Sequence, residues 1–420
     1  MTVPTPGTPS LLRAINDRAA LEVLLTQGPL TRPQLAGLTG ISKPTASQLL
    51  ARLEDAGLVL RDGVREGLPG RTAELYRVNP AAAYVAGLDV TPARIRAVAA
   101  DLTGAVVGEH TLPTPSRSGV DAVARVRAAL DAATAGIPRD RLRRVVIGIG
   151  GAVDPTTGRL GYAAHIPGWH VPDLGKLLTD ALGTPVSIEN DVNLSALAEL
   201  AGGQAGDAGF ARGEPTPHAP RTDFAGVKDF VLLWVADGVG MAVVLGGALH
   251  RGATGGAGEI GYMPVAGAPL MRDVRRTHTG GVHTLTGGSA VLKLMRAHGF
   301  GGRDPGTALS RAAAAAAGPG SAPEATGRAR EALGELATRL GATLATVVAV
   351  LDPQLIVLTG EVLMAGGDAL RELVERELHT MTIPRPPVRL SSIDGNPVLA
   401  GALHLALGET RDEVFSSTAP

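Results

Sequence analysis

The segment IENDVN, residues 188–193, joins two periodicities. Val186 and Ile188 lead into it as an apolar run, and Leu194, Leu197 and Ala198 lead out of it at helical spacing. A strand giving way to a helix marks an α/β architecture, and such folds bind ligands beyond the carboxyl ends of their strands. Asp191 therefore stands where it could act as a catalytic base, as a ligand contact or as a helix cap.

Working outward, residues 84–110 read as a strand meander (YVAGLDV, RIRAVAADL, AVVGEHTL), and 119–136 as a helix. VVIGIGGAV (145–153) is a buried strand entering a Gly turn. A similar pattern restarts at 230 with FVLLWVADGVGMAVVLGGALHRG: an apolar strand, an Asp (Asp89, then Asp237), a turn and a second strand. This predicts an internal duplication, each half a mixed sheet flanked by helices, with a small-molecule cleft between the two lobes. Residues 201–227 and 301–326 are rich in Gly, Pro and Ala and read as inserts or mobile loops, with the Ala run at 312–317 as part of a helix. From 410 the chain reads as a polar, disordered tail.

Composition narrows the function. The 420 residues exceed one small domain, and 45% hydrophobic but only 3% aromatic content predicts aliphatic cores. There is no cysteine, hence no disulfide or thiolate metal site. No apolar run is long enough for a bilayer and no signal-peptide pattern opens the chain, which fits a cytoplasmic protein without membrane partners. A net charge of −1 gives no global attraction to nucleic acid. Only four of the 39 basic residues are lysines, a bias of GC-rich coding.

The first eighty residues have their own pattern. Leu12, Ile15, Ala19 and Val23 mark a first helix. Thr31 opens a second, with a capping-box partner at Gln34 and a stop at Gly40. Ser42 caps a third, whose buried stripe is Ala46, Leu49, Leu50 and Leu53, ending at Gly57. The tight turn LTGIS between the second and third gives helix-turn-helix geometry, and LVLRDG and AELYRV around a basic loop form a wing. Three-helix domains with purely structural roles share part of this pattern; the Arg-bearing wing favours DNA. Lys43, Thr45, Ser47, Gln48 and Arg52 on the third helix are the expected operator contacts, with Arg65 and Arg71 on the wing meeting phosphates or the minor groove.

Five stretches carry a family resemblance across residues 11–405: GIGGAVDPTTGRL (148–160), PGW (167–169), ENDVN (189–193), HRGATGGAGEIGYMPV (250–265) and LDPQLIVLTGE (351–361). Together they resemble the ROK family of repressors and sugar kinases, and the N-terminal winged helix resembles that of the family's regulators. The resemblance implies an α/β, two-lobed, actin-like (ribonuclease-H-type) ATPase fold behind the winged helix-turn-helix. The expected division is 1–80 (DNA-binding domain), 81–200 (first lobe), 201–410 (second lobe, returning to the first) and 411–420 (tail). It also implies a sugar-type ligand, with Asp191 at the position of the kinases' base and Asn190 and Glu259 at sugar contacts.

Departures from the family pattern decide against catalysis. Kinases of the family carry an Asp-x-Gly-Gly-Thr turn; here it reads DVTPAR (89–94), where Pro92 removes an N–H. Their second phosphate turn, Gly-Thr-Gly, is ADG (236–238) here, placing the Asp237 carboxylate where phosphate oxygens would sit. At ~4 Å two such charges repel by roughly 4 kcal/mol at an effective dielectric of 20. The family's histidine after GEIG is Tyr262, and its zinc-binding cysteine loop is replaced by RDVRRTHTGGVHTLTGG (272–288), whose structural job falls to packing or Gly turns. His278 and His283 lack a third ligand, so no metal and no cofactor is expected. The expectation is a DNA-binding regulator of the ROK type, a repressor, not an enzyme. It would act as a homodimer or homotetramer on a double-stranded operator, with Asn190, Asp191, Glu259 and Tyr262 facing a sugar-type effector. Two alternatives stay open: a hexose kinase with an appended DNA-binding domain, and a regulator blind to any ligand.

Overall fold

The computed structural model describes residues 9–66, 72–115, 121–154, 157–161, 169, 171–204, 224, 226–272, 279–318 and 322–416. The N-terminal unit is built from α1 (Pro9–Gln27), β1 (Leu30–Thr31), α2 (Arg32–Thr39), α3 (Lys43–Asp55), β2 (Val59–Glu66) and β3 (Thr72–Val78). Its boundaries follow from local chemistry. Gln34 accepts the Thr31 N–H at 3.0 Å, Gly40 ends α2 in the left-handed region (φ 70°), and Ser42 Oγ accepts the Thr45 N–H at 3.3 Å. Ala46, Leu49, Leu50 and Leu53 are buried, as their spacing predicts. β2 and β3 pair antiparallel as the wing. Its tip, including Arg71, lies outside the described residues, and of Arg65 only the backbone is described.

The first lobe contains β4 (Tyr84–Val90), β5 (Arg94–Asp101), β6 (Val106–Pro113), α4 (Ala122–Ala133), β7 (Leu142–Ile149), the small pair β8 (Ala152–Val153) and β9 (Leu160–Gly161), α5 (Leu174–Leu182), β10 (Val186–Asn190) and α6 (Asp191–Gln204). The second has β11 (Phe230–Val235), β12 (Val239–Leu245), β13 (Ala248–Leu249), α7 (His283–Thr286), α8 (Gly288–Ala297), α9 (Pro305–Ala317), α10 (Pro323–Leu351), β14 (Leu355–Thr359), α11 (Glu361–Met381) and β15 (Val388–Leu390). α12 (Pro397–Ser416) closes the chain.

The two five-stranded sheets run β10-β7-β4-β5-β6 and β13-β12-β11-β14-β15. Each has three consecutive antiparallel strands, then two more added in parallel beside the first. The duplication read from the two Asp-bearing hairpins is thus a repeated topology. α4 and α5 pack on one face of the first sheet, and α6 and α12 on the other. α10 is long and apolar enough to cross a membrane by length and composition. Its Leu333, Leu336, Leu340 and Leu344, however, are buried in the second lobe's core.

Two expectations are corrected here. Most of 301–326 is helix, beyond the Ala run at 312–317: Asp304 caps α9, accepting the Thr307 N–H at 2.6 Å, and α10 begins at Pro323. Up to Ser416 the expected polar tail is the last two turns of α12, because Val414 and Phe415 are buried in the winged-helix core; 417–420 lie outside the described residues. Most of the expected 201–227 insert lies outside the described residues, although Phe224 stacks edge-on against Phe230 at 5.5 Å.

Candidate functional site

On the winged helix, α3 presents Lys43, Pro44, Gln48, Ala51 and Asp55 to solvent. Thr45 and Ser47 are half-buried and partly engaged: the Thr45 and Ser42 hydroxyls meet at 2.7 Å, and Ser47 Oγ donates to the Lys43 carbonyl at 3.1 Å. Arg52 differs from its expected role. Its guanidinium donates to Asp17 of α1 at 2.6 Å, and Asp17 is 1% exposed. The outward stripe is therefore rotated from 45/48/52 to 44/48/51/55. Ala51 joins it unforeseen, since nothing in its type signals a contact.

In the cleft, IENDVN divides into distinct tasks. Asn190 is the helix cap: its Oδ1 accepts the Asn193 N–H at 3.0 Å, and its Nδ2 donates to the Gly151 carbonyl at 3.1 Å. Asp191 opens α6 and accepts the Val192 N–H at 2.9 Å. Glu189, the acid to which the sequence assigns least, is the most connected. Its carboxylate accepts from the Asn190 N–H and Asn193 Nδ2 at 2.9 Å each, and from Arg251 Nε at 2.6 Å. Arg251 belongs to the second lobe, so this pair crosses the cleft.

Asp89, Gly148 and Glu189 share one row across β4, β7 and β10. A Cβ on Gly148 would run into Val398 and Leu194, so only glycine lets α12 and α6 lie on this row. Asn396 Nδ2 donates to Asp89 at 2.7 Å. From the second lobe, Gly258 (φ 93°) lays its loop on β12, where a Cβ would overlap the Met241 carbonyl oxygen, and this close approach positions Glu259. Gly255 (φ 78°) packs that loop against the Val153 carbonyl of the first lobe.

Burial pushes the Asp191 carboxyl up to about 6, helped by the nearby Asp89 charge. Burial pushes Glu259 up to about 7, helped by Asp191. Burial also raises Asp89, against the lowering effect of the Asn396 amide. Asn190 and Glu259 line a slot with Val192, Gly240, Met241 and Gly258 whose cavity volume is about 10 Å³, far below the ~300–1,000 Å³ of typical ligand sites. Tyr262 is not among its lining residues. It lies one turn beyond Glu259, its backbone packed under Gly281. Where the cysteine loop would stand, Gly281 N–H donates to the Pro269 carbonyl at 2.9 Å and Val282 N–H to the Met263 carbonyl at 3.0 Å, so backbone bonds hold residues 281 and 282; 273–278 lie outside the described residues. His283 is buried there and His278 lies outside the described residues; among the described residues no group of three or more potential ligands could hold a metal.

The turn after β4 is closed on itself: Thr91 N–H donates to the Arg94 carbonyl at 2.9 Å, and Arg94 N–H to Thr91 Oγ1 at 3.2 Å. At the β11–β12 turn Ala236 N–H bonds the Gly238 carbonyl at 3.0 Å, and Asp237 is exposed. A wider depression of about 520 Å³, lined by Arg303, Thr307, Arg311 and Glu361 among others, lies where α9 and α11 begin.

The ROK family profile matches residues 85–209 and 221–409. The chain belongs to the ROK family. A MarR family profile matches residues 15–67. A putative xylose repressor of Caldicellulosiruptor sp. strain Rt8B.4 is 26% identical over 62% of this chain and 61% of that protein. A transcriptional regulator of Mycobacterium tuberculosis strain H37Rv is 30% identical over 60% of this chain and 54% of that protein. The match thus spans less than two thirds of either relative. Among solved structures, a ROK transcriptional regulator described as a homologue of the E. coli MLC protein has a TM-score of 0.67 at 19% identity, covering 97% of this chain and 99% of that one. The ROK hexokinase of Thermus thermophilus has a TM-score of 0.58 at 26% identity, covering 78% and 99%. The regulator shares the architecture over nearly the full length, and the kinase shares the two lobes.

Proposed function

We propose that this ROK protein is a DNA-binding transcriptional repressor of the cytoplasm, and that its cleft senses a sugar or sugar-derived molecule without phosphorylating it. The observation that carries the reading is the capped helix-turn-helix whose third helix turns Lys43, Gln48 and Ala51 outward. Gln48 is long enough to pair with adenine, and Lys43 at the helix start suits a phosphate. Names of relatives favour a sugar effector, since one is a putative xylose repressor. Two copies of the chain would read a pseudo-palindromic operator.

The closed β4–β5 turn supports the non-catalytic reading. Phosphoryl transfer relies on free backbone N–H groups around the phosphates. Here Thr91 and Arg94 N–H are engaged, Pro92 has none, and Ala93 alone is left. Asp191 and Glu259 then serve as acceptors for effector hydroxyls. A coupled ATP assay over hexoses and N-acetylhexosamines should show no turnover; activity lost in Asp191→Asn would establish the kinase reading instead.

A further inference from the structure

We infer that α12 is a rod that reports the state of the cleft to the winged helix, with Asn396 as its sensing end and Phe415 as its output end. This deepens the effector reading above and rests on it for its biological use. The physical coupling stands on α12 itself.

The sensing end is Asn396, immediately before the helix. Its Oδ1 accepts the Leu399 N–H at 3.1 Å, so it caps α12, while its Nδ2 donates to Asp89 at 2.7 Å. One side chain thereby ties the helix start to a carboxylate that neighbours Asp191 electrostatically. An effector hydroxyl that donates to Asp89 competes for the oxygen Asn396 uses.

The shaft is stiff. A Cβ on Gly401 would overlap the Leu194 carbonyl oxygen, so α12 and α6 are in backbone contact. Ala402 meets Gly87 of β4, where a Cβ would lie 3.1 Å from the alanine methyl. Such packing transmits displacement, since interiors this dense do not deform continuously. Its 20 residues span about 30 Å at ~1.5 Å per residue.

The output end is joined to both units. Glu409 pairs with Arg144 of β7 at 3.0 Å, and Arg411 donates to the Leu102 carbonyl at 2.9 Å. Asp412 pairs with Arg18 of α1. Phe415, 1% exposed, packs in one cluster with Leu21, Leu50, Leu53 and Tyr76, the residues that hold α1, α3 and the wing together. Any shift of α12 therefore enters the core on which α3 rests.

The test is amide hydrogen exchange by mass spectrometry on the full chain, with no DNA and no effector. A failure here therefore concerns the rod, whereas a failure to bind DNA concerns the proposed function. Asn396→Ser keeps a capping oxygen but is too short to reach Asp89. Asp89→Asn keeps an acceptor for the Asn396 amide. Asn396→Ser should raise exchange in α1 and α3 at least threefold, and Asp89→Asn should leave them within twofold of the parent. α5, on the opposite face of the first sheet, should be unchanged in both. If Asn396→Ser speeds exchange only near 397–403, α12 is a passive strut. If α5 loosens equally, the effect is global destabilisation. Either result overturns the inference.

Discussion

Arg251 and Glu189 face each other from opposite lobes, 2.6 Å apart from Nε to Oε2. The bond ties the second lobe to the end of β10, beside the slot lined by Asn190 and Glu259. Glu189 is 11% exposed and Arg251 48%, so the pair is partly screened and worth on the order of 0.2–1 kcal/mol. Arg251→Ala should therefore raise the open fraction by roughly 1.4- to fivefold. Amide exchange over residues 252–258 and 149–153 should rise in proportion. Unchanged protection there would mean that the glycine packing alone closes the cleft.

Arg52 should matter for stability more than for DNA. Arg52→Ala leaves the Asp17 carboxylate buried without its partner, which costs about 3 kcal/mol for a buried charge so stranded. Denaturant unfolding should show that loss. The salt dependence of DNA binding by the folded variant should keep its slope, because no phosphate contact is removed. A flatter slope with unchanged stability would return Arg52 to the operator interface.

Gln48 behaves oppositely. It is exposed on α3, so Gln48→Ala should change stability by less than about 0.5 kcal/mol. Discrimination at one base pair should fall by roughly 1–3 kcal/mol. Binding-site selection with both proteins reads this directly, and an identical site preference would exclude Gln48 from base recognition.

The cleft carboxyls predict a pH dependence. Folding raises Asp191 from 3.8 to about 6 and Glu259 from 4.5 to about 7. Groups raised in the folded state stabilise it while protonated, and that contribution is lost as pH climbs through the folded values. Stability should thus fall between pH 5 and pH 8, by on the order of 3 kcal/mol in all. The double variant Asp191→Asn, Glu259→Gln should flatten the dependence. Denaturant titrations at the two pH values decide it; a parent protein equally stable at both would show that the closed slot does not hold these acids apart from water.

The fold was legible because its signals are local. Thr31, Gln34, Gly40 and Ser42 mark helix ends within four residues of the groups they satisfy, and the two Asp-bearing hairpins announce the repeat in the sheets. Of the candidate site, the sequence singled out Asn190, Asp191 and Glu259, as the residues expected to face a ligand. Its supports pair across sequence distances that no periodicity records: Glu189 with Arg251 over 62 residues, Asp89 with Asn396 over 307. Arg52 misled for a related reason. Helical spacing places it beside Gln48, but Asp17 on another helix decides which way it turns. The end of α12 misled because its polar residues mask Val414 and Phe415, whose burial depends on a domain nearly four hundred residues away.

The central claim is that α3 reads a specific DNA site. Its most direct test is to incubate the full chain with fragmented DNA of the source genome, recover the bound fragments, and measure their affinity against unrelated duplex at physiological salt. We predict a pseudo-palindromic site bound at least ~1,000-fold more tightly than unrelated DNA, with the preference lost in Gln48→Ala. Retention of fragments without a common sequence, at an affinity equal to that for unrelated duplex, would contradict it.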